Sequence, residues 1–97
     1  MIQKHIEVFL ITRKVKIQNK LGLHARPCSL LVKAAQKFRS ELQIKKDDMI
    51  VNGKSIMGVM MLAAEFGSEL QLILDGVDEE DAMIALIEVF NSKFGED

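Results

Sequence analysis

Alternating apolar and polar residues, together with one short apolar run, predict four short β-strands along the chain. The apolar positions of these strands are Val15 and Ile17; Leu42 and Ile44; Met49 to Val51; and Leu70, Leu72 and Leu74. A period of two is typical of a strand that buries only one face. Turn-forming residues follow three of the strands, at Lys46-Asp47-Asp48, Asn52-Gly53 and Asp75-Gly76.

Three further stretches place apolar residues at helical spacing. The first helix is predicted from Ala25 to about Phe38, and the second over roughly Ile56–Ala64, opened by Ser55 and ended by Gly67 as a C-cap candidate. The last helix begins at Asp78, where acidic residues suit the positive end of the helix dipole. Its apolar stripe is Met83, Leu86, Ile87, Phe90 and Phe94.

The element order is therefore β-α-β-β-α-β-α. Strands this short and amphipathic bury one face of a single sheet, and three helices with one apolar stripe each cover that face. A right-handed crossover makes the first and second strands parallel but separated, with the fourth strand between them. The expected fold class is an α/β (α+β) open-faced sandwich, with a four-stranded antiparallel sheet and three helices on one face.

The chain of 97 residues is expected to form one domain over residues 10–97, preceded by an extension over residues 1–9 of unknown role. Ile6, Val8 and Leu10 alternate, so this segment either extends the first strand or is a tail. His5 is interpreted as a surface histidine. We expect a monomer.

Composition excludes several functional classes. A net charge of −1 without tryptophan or tyrosine argues against nucleic-acid binding. Two histidines and one cysteine are too few and too scattered for a structural zinc site, and no metal or cofactor is expected. No apolar run approaches the ~20 residues of a membrane span, and no signal peptide is convincing. The single Cys28, interpreted as a small buried residue, fits a reducing compartment, so a cytoplasmic location is expected.

The candidate chemistry lies in Gly22-Leu23-His24-Ala25-Arg26-Pro27. Proline is tolerated in the first turn of a helix, which places His24 at or just before the N-cap. There the imidazole lies beside free backbone N–H groups and the positive end of the helix dipole. Arg26 adds a fork of donors that suits phosphate. We infer that His24 becomes phosphorylated.

The second helix carries a different signal. Ser55 is able to cap it by accepting a hydrogen bond from a following N–H group. A helix this short cannot bury all of its apolar residues, so Val59 and Leu62 are predicted in the core, and Ile56, Met57 and Met60 on an exposed contact surface.

These motifs resemble those of HPr, the histidine-containing phosphocarrier family of the bacterial phosphoenolpyruvate-dependent phosphotransferase system. Gly22–Pro27 looks like the active-site motif, and Lys54–Met60 looks like the regulatory-serine segment, at the same separation. The resemblance runs from about residue 10 to the end of the chain. The tail from Phe90 to Asp97 is more similar to the nitrogen-related branch, so the acceptor, in sugar uptake or in nitrogen-related regulation, stays open.

The resemblance implies roles for individual residues. His24 would accept a phosphoryl group on Nδ1 from phosphorylated enzyme I and pass it to an enzyme IIA-type acceptor, while Arg26 steadies it. Ser55 would be phosphorylated by an HPr kinase/phosphorylase in organisms that have one. Independently of the resemblance, a phosphate there keeps a favourable contact with the helix start but places its charge beside Ile56 and Met57, so we predict that it blocks docking without unfolding the domain. The partner-binding residues would be Leu23, Ile56, Met57 and Met60.

Two functional classes remain. The chain is a phosphohistidine carrier, an intermediate in phosphoryl transfer rather than a turnover enzyme by itself, or it is a catalytically idle regulatory binding module controlled through Ser55. Retention of His24 and Arg26 favours the carrier, because a regulator would need neither.

Overall fold

The computed structural model describes residues 10–96 and contains four strands, three α-helices and one short 3-10 turn. The strands are β1 (Ile11–Lys16), β2 (Glu41–Lys46), β3 (Met49–Asn52) and β4 (Glu69–Asp75). The helices are α1 (Ala25–Gln36), α2 (Ile56–Met61) and α3 (Glu79–Asn91), followed by the 3-10 turn Lys93–Gly95.

The strands form one antiparallel sheet in the order β1-β4-β2-β3. β4 lies between β1 and β2 and pairs antiparallel with both, so β1 and β2 are parallel but not neighbours. β3 pairs antiparallel with the other side of β2. The predicted fold class and strand arrangement are confirmed.

The core lies between the sheet and the helices. Inward-facing residues of β2 and β4 are almost completely buried: Leu42, Ile44, Leu70, Leu72 and Leu74. They pack in one cluster with Leu31 of α1, Val59 of α2 and Phe90 of α3. Burying a leucine side chain of this kind contributes about 2 kcal/mol, so the alternating positions read from the sequence hold the sheet against the helices.

The second helix is shorter than predicted. α2 ends at Met61 rather than near Ala64, because Ala63 adopts a left-handed conformation with φ of +48°. Gly67 is therefore not the C-cap. Its φ of +86° serves the turn into β4, where its N–H donates to the carbonyl of Ile17 at 2.8 Å.

Leu23, predicted to bind partners, lies in the core. Its side chain packs in the core cluster with 5% of its surface exposed, so it presents little apolar surface of its own.

The predictions for His5, Ile6 and Val8 and for an extension over residues 1–9 lie outside the described residues. Within residues 10–96, no helix is both long and apolar enough to cross a membrane.

Candidate functional site

The candidate site is built at the start of α1, where His24 is the N-cap residue, as predicted. Its backbone is extended, with φ of −81° and ψ of −172°, and its carbonyl accepts the first helical hydrogen bond from the N–H of Cys28 at 3.1 Å. Pro27 lies buried in the first turn, where a missing N–H removes no helical bond. His24 makes no side-chain cap bond, so its ring is free for other contacts.

The loop before His24 is fixed by a close backbone approach. Gly22 has φ of +72°, and a Cβ atom built there would lie 2.7 Å from the carbonyl oxygen of Ala64. The next N–H, that of Leu23, donates to the same carbonyl at 2.9 Å. Only glycine meets both the conformation and the space, so the segment that follows α2 determines where His24 sits.

The imidazole of His24 is held through one of its two nitrogens. Nε2 lies 2.9 Å from Oε2 of Glu96, and 39% of the side chain is exposed. An ionised carboxylate only accepts hydrogen bonds, so Nε2 must be the donor and carry the proton. In the neutral ring Nδ1 is then the nitrogen with a free lone pair.

Arg26 reaches the same carboxylate from the first turn of α1. Its Nη1 donates to Oε2 of Glu96 at 3.2 Å and to the carbonyl of Phe94 at 3.1 Å. More than half of its side chain is exposed, and the guanidinium carries five N–H donors. Donors therefore remain for an incoming anion beside His24.

Asn19 also hydrogen-bonds Glu96, from the loop that precedes His24. Its Nδ2 donates to the carbonyl of Gly22 at 2.8 Å and to Oε1 of Glu96 at 3.0 Å. Both partners are acceptors, which fixes the orientation of the amide. The residue is fully buried and its Oδ1 has no hydrogen-bond partner among the described residues. One amide thus ties the histidine loop to the end of the chain.

Glu96 reaches His24 because the chain reverses sharply after α3. Lys93, Phe94 and Gly95 all have positive φ, of 58°, 55° and 74°. The left-handed region is unfavourable for the two residues with side chains, by roughly 1–2 kcal/mol each. Phe94 offsets this cost by burial, and its ring meets that of Phe90 edge to face with centroids 5.0 Å apart.

The network keeps Glu96 ionised. Burial raises the pKa of its carboxyl, but hydrogen bonds from Asn19, His24 and Arg26, with the charge of His24, outweigh burial, and the pKa of Glu96 is lowered. A carboxylate at neutral pH is therefore the species that contacts the ring.

The single cysteine does not add a second nucleophile. Cys28 is fully buried, and its Sγ donates to the carbonyl of Leu23 at 3.3 Å. Burial raises the pKa of the thiol to about 11, so the reactive thiolate is scarce at neutral pH. Its interpretation as a small buried residue is confirmed. Within residues 10–96, no cluster of three His, Cys, Asp or Glu side chains is arranged to hold a metal ion.

Ser55 is the N-cap of α2, as predicted. Its Oγ accepts a hydrogen bond from the N–H of Gly58 at 3.0 Å, and the side chain is partly exposed. The preceding residue, Lys54, donates from Nζ to the carbonyl of Phe38. This bond links the start of α2 to the segment that follows α1.

The exposed apolar residues of α2 form a surface, which we call the α2 patch: Ile56, Met57, Met60 and Met61. Met57 is 77% exposed, whereas Val59 and Leu62 are buried, so the predicted division of the helix is confirmed. Leu21 and Phe66 are also exposed, at 76% and 62%. They lie in the two segments joined by the Leu23 to Ala64 hydrogen bond, and the sequence interpretation had not singled them out.

Glu96 and Asn19 were also missed by the sequence interpretation. Glu96 lies 72 residues from His24, and its approach depends on left-handed conformations at Lys93 and Phe94 that neither residue type signals. Asn19 carries no local signal either, because its residue type does not show that it is buried, and burial is what makes its hydrogen bonds necessary.

Three comparisons identify what the chain is similar to. Residues 11–92 match the family model described as the PTS HPr component phosphorylation site. The phosphocarrier protein HPr of Neisseria meningitidis serogroup A is 48% identical over 87 residues, which are 90% of this chain and 98% of that protein.

Solved structures agree. A crystal structure of HPr from Thermoanaerobacter tengcongensis has a TM-score of 0.86 and 46% identity, and the match covers 90% of this chain and 98% of that one. The catabolite repression protein Crh of Bacillus subtilis, in a crystal structure described as a swapped dimer, has a TM-score of 0.66 and 37% identity. That match covers 100% of this chain and 98% of the other.

Proposed function

The chain belongs to the HPr family of phosphotransferase-system phosphocarriers, and from this premise we propose that it carries a phosphoryl group on Nδ1 of His24. It receives the group from phosphorylated enzyme I and donates it to an enzyme IIA-type acceptor. The role is that of an intermediate in a relay, which needs an exposed nucleophilic nitrogen, an anion site and a docking surface.

The observation that carries this proposal is the asymmetry of the His24 ring. Nε2 is occupied by Glu96 at 2.9 Å, while Nδ1 has no hydrogen-bond partner among residues 10–96. A neutral imidazole protonated on Nε2 attacks phosphorus through Nδ1, and it is available near pH 7.

Arg26 steadies the transferred group. Its exposed guanidinium stands in the first turn, next to the free N–H groups that begin α1. A fork of N–H donors matches phosphate oxygens, and the positive end of the helix dipole adds to the attraction. The negative charge on the phosphoryl group is therefore opposed from two sides.

The α2 patch is the proposed docking surface for both partners. Its four apolar side chains are 41–77% exposed on a helix of only six residues. Methionine adapts its shape to different surfaces, which suits a carrier that serves more than one partner. The carrier works as a monomer in this proposal, although the related Crh has a dimeric crystal structure.

Ser55 is the proposed regulatory site, phosphorylated by an HPr kinase/phosphorylase where the cell has one. A phosphate on its oxygen keeps a favourable position at the start of α2, so the domain stays folded. The added charge stands beside Ile56 and Met57, which are 41% and 77% exposed, and opposes contact with an apolar partner. Phosphorylation of Ser55 therefore blocks docking.

The test is a measurement of intact mass after incubation with phosphoenolpyruvate, Mg²⁺ and an enzyme I of proven activity. We expect one acid-labile phosphoryl adduct on the wild type and none on His24→Ala. Lys33→Ala, an exposed substitution on α1, is the matched control and keeps the adduct.

The same experiment decides against the other functional class. Absence of an adduct on the wild type would contradict the carrier role and leave a binding module controlled through Ser55. In that case His24→Ala would bind its partners as well as the wild type does, as measured by titration calorimetry.

A further inference from the structure

We propose that Glu96 is a positioning residue for phosphoryl transfer: its carboxylate, held in place by Asn19, keeps the proton on Nε2 of His24 and leaves Nδ1 as the nucleophile. This inference rests on the proposed carrier function and assigns a role in it to the end of the chain. Glu96 acts through the ring, and no contact of its own with the phosphoryl group is required.

The contacts of Glu96 point to a built arrangement rather than a chance surface pair. Its side chain is 17% exposed and receives hydrogen bonds from three residues, at 2.9 Å from His24, 3.2 Å from Arg26 and 3.0 Å from Asn19. Both carboxylate oxygens are used. A carboxylate with this many donors is fixed in orientation, so the ring that it contacts is fixed as well.

Asn19 is the part of the arrangement that a structural role alone leaves unexplained. Its Nδ2 already satisfies the carbonyl of Gly22, yet the same group also donates to Glu96, while its Oδ1 stays buried and without a partner. An unsatisfied buried oxygen is unfavourable. The amide is therefore placed for its donors, one toward the histidine loop and one toward the carboxylate.

The backbone that brings Glu96 to the ring is strained and firmly held. Lys93 and Phe94 have positive φ, the N–H of Glu96 donates to the carbonyl of Lys93 at 2.8 Å, and Phe94 is buried. Arg26 fastens the same turn through the carbonyl of Phe94. Strained conformations at non-glycine residues persist where surrounding contacts determine them, and they cluster at functional sites.

The chemical step shows what the contact supplies. The lone pair of Nδ1 forms the N–P bond while the bond between phosphorus and the donor's nitrogen breaks, and its electron pair leaves with the donor. Nε2 keeps its proton, so the ring becomes a phosphoimidazolium with a positive charge. Glu96 opposes that charge directly, as the aspartate behind the catalytic imidazole does in serine proteases. When the ring later donates the group, the same electrons return to Nδ1.

The experiment compares Glu96→Gln and Asn19→Asp with the wild type, with Glu88→Gln on the exposed side of α3 as the matched control. Rates of phosphoryl transfer from enzyme I are measured over a range of carrier concentrations. Nitrogen-15 NMR of the His24 ring is recorded in parallel, and thermal unfolding confirms that each variant is folded. Glu96→Gln leaves the buried amide of Asn19 in place and keeps the side-chain size.

We expect kcat to fall about 10-fold in both variants with KM for the carrier unchanged, and no change in Glu88→Gln. A residue with only a structural role would not separate kcat from KM. In the wild type the NMR spectrum shows a proton on Nε2, protected from exchange, and a bare Nδ1. In Asn19→Asp the protection is lost although His24 and Glu96 are both present, because two carboxylates repel each other.

Two kinetic outcomes for Glu96→Gln would overturn the positioning role while leaving the carrier function in place. An unchanged kcat in Glu96→Gln would show that the ring needs no carboxylate, and a higher kcat would show that Glu96 obstructs the site. If the wild type accepts no phosphoryl group at all, the carrier function itself fails, and the positioning role fails with it. The NMR spectra then report only whether the resting hydrogen bond exists.

Discussion

The N-cap residues of α1 and α2 use their side chains in opposite ways. Ser55 turns its hydroxyl inward and accepts the N–H of Gly58, which closes the start of α2. His24 makes no cap bond and turns its ring toward Glu96, which leaves the start of α1 open. A closed N-terminus stabilises its own helix, whereas an open one keeps its partial positive charge for an incoming anion.

The comparison extends to the surroundings of the two helix starts. α1 has 12 residues and buries five of them, so it tolerates an uncapped end. α2 has six residues and buries only Val59, so its stability depends more on the cap. Because α1 is held by its packing, its N-cap residue is available for chemistry. Because α2 packs through a single buried residue, its N-cap residue is needed for stability.

The largest expected effect comes from giving α1 the cap of α2. His24→Ser should abolish phosphoryl acceptance completely while the free energy of unfolding stays within about 1 kcal/mol of the wild type. The new hydroxyl caps the helix and offsets the loss of the partly buried contact with Glu96. Intact mass after incubation with enzyme I and urea unfolding measure the two quantities. A strongly destabilised variant would contradict the view that the His24 side chain serves phosphoryl transfer rather than the stability of α1.

The next effect tests the anion site at the open helix start. Arg26→Ala should lower the rate of phosphoryl acceptance about 100-fold, since one preorganised donor to a developing charge is removed. The rate for Arg26→Lys should lie between those of the wild type and Arg26→Ala, because lysine keeps the positive charge but loses the planar set of N–H donors. Stopped-flow or quench-flow transfer rates provide the measurement. Equal rates in all three proteins would mean that the helix N-terminus alone holds the phosphoryl group.

The third prediction concerns the close approach before His24. Gly22→Ala should lower the free energy of unfolding by about 2 kcal/mol, because it combines a left-handed φ with a Cβ only 2.7 Å from the carbonyl of Ala64. Gly67→Ala is the matched control, with φ of +86° and no atom within 4 Å, and should cost about 1 kcal/mol. Urea unfolding of both variants is the measurement. Equal losses would show that the Ala64 contact is unimportant.

The fourth prediction removes the cap that closes α2. Ser55→Ala should cost about 1 kcal/mol in the free energy of unfolding, and Ser55→Thr should restore most of it. Phosphoryl acceptance by His24 should be unchanged in both, because the cap serves the helix and not the transfer. Unfolding by urea and mass spectrometry after enzyme I treatment decide this. A reduced phosphoryl acceptance would tie the cap to docking.

Local patterns accounted for most of the fold and for half of the site. The alternation of Leu70, Leu72 and Leu74 placed the central strand, and Pro27 and Ser55 located two helix starts. These features depend on neighbours within a few residues, which sequence periodicity reports directly. The end of α2 was missed because Ala63 adopts a left-handed conformation that its type does not favour.

Local sequence patterns could not predict the contact of His24 with the Glu96 carboxylate. Glu96 meets His24 only after the chain has completed its sheet, returned along α3 and reversed through three residues with positive φ. Such a contact follows from tertiary packing, in particular the burial of Phe94, and not from propensity. The same holds for Leu23, which is buried in the core and whose N–H donates to the carbonyl of Ala64.

The smallest expected effect on stability comes from substituting the third N-cap residue, Asp78. Like His24, Asp78 makes no side-chain cap bond to its own helix. Its carboxylate accepts hydrogen bonds from the hydroxyl of Ser40 and from the N–H groups of Arg39 and Ser40, and so joins the start of α3 to the end of the α1 to β2 connection. These bonds, the Ser40 hydroxyl first, lower the pKa of Asp78 to about 2. The side chain therefore serves folding, like Ser55, although its helix start resembles that of His24.

The sign of its pH dependence follows from that pKa. A carboxyl with a lowered pKa contributes stability that is present above its ordinary value and lost as the pH falls toward 2. Asp78→Asn should be less stable than the wild type at pH 7, and the difference should shrink between about pH 4 and pH 2. Urea midpoints at several pH values measure it, with the exposed Asp81→Asn as control. A difference independent of pH would show that the hydrogen-bond geometry, and not the ionised state, links α3 to Ser40.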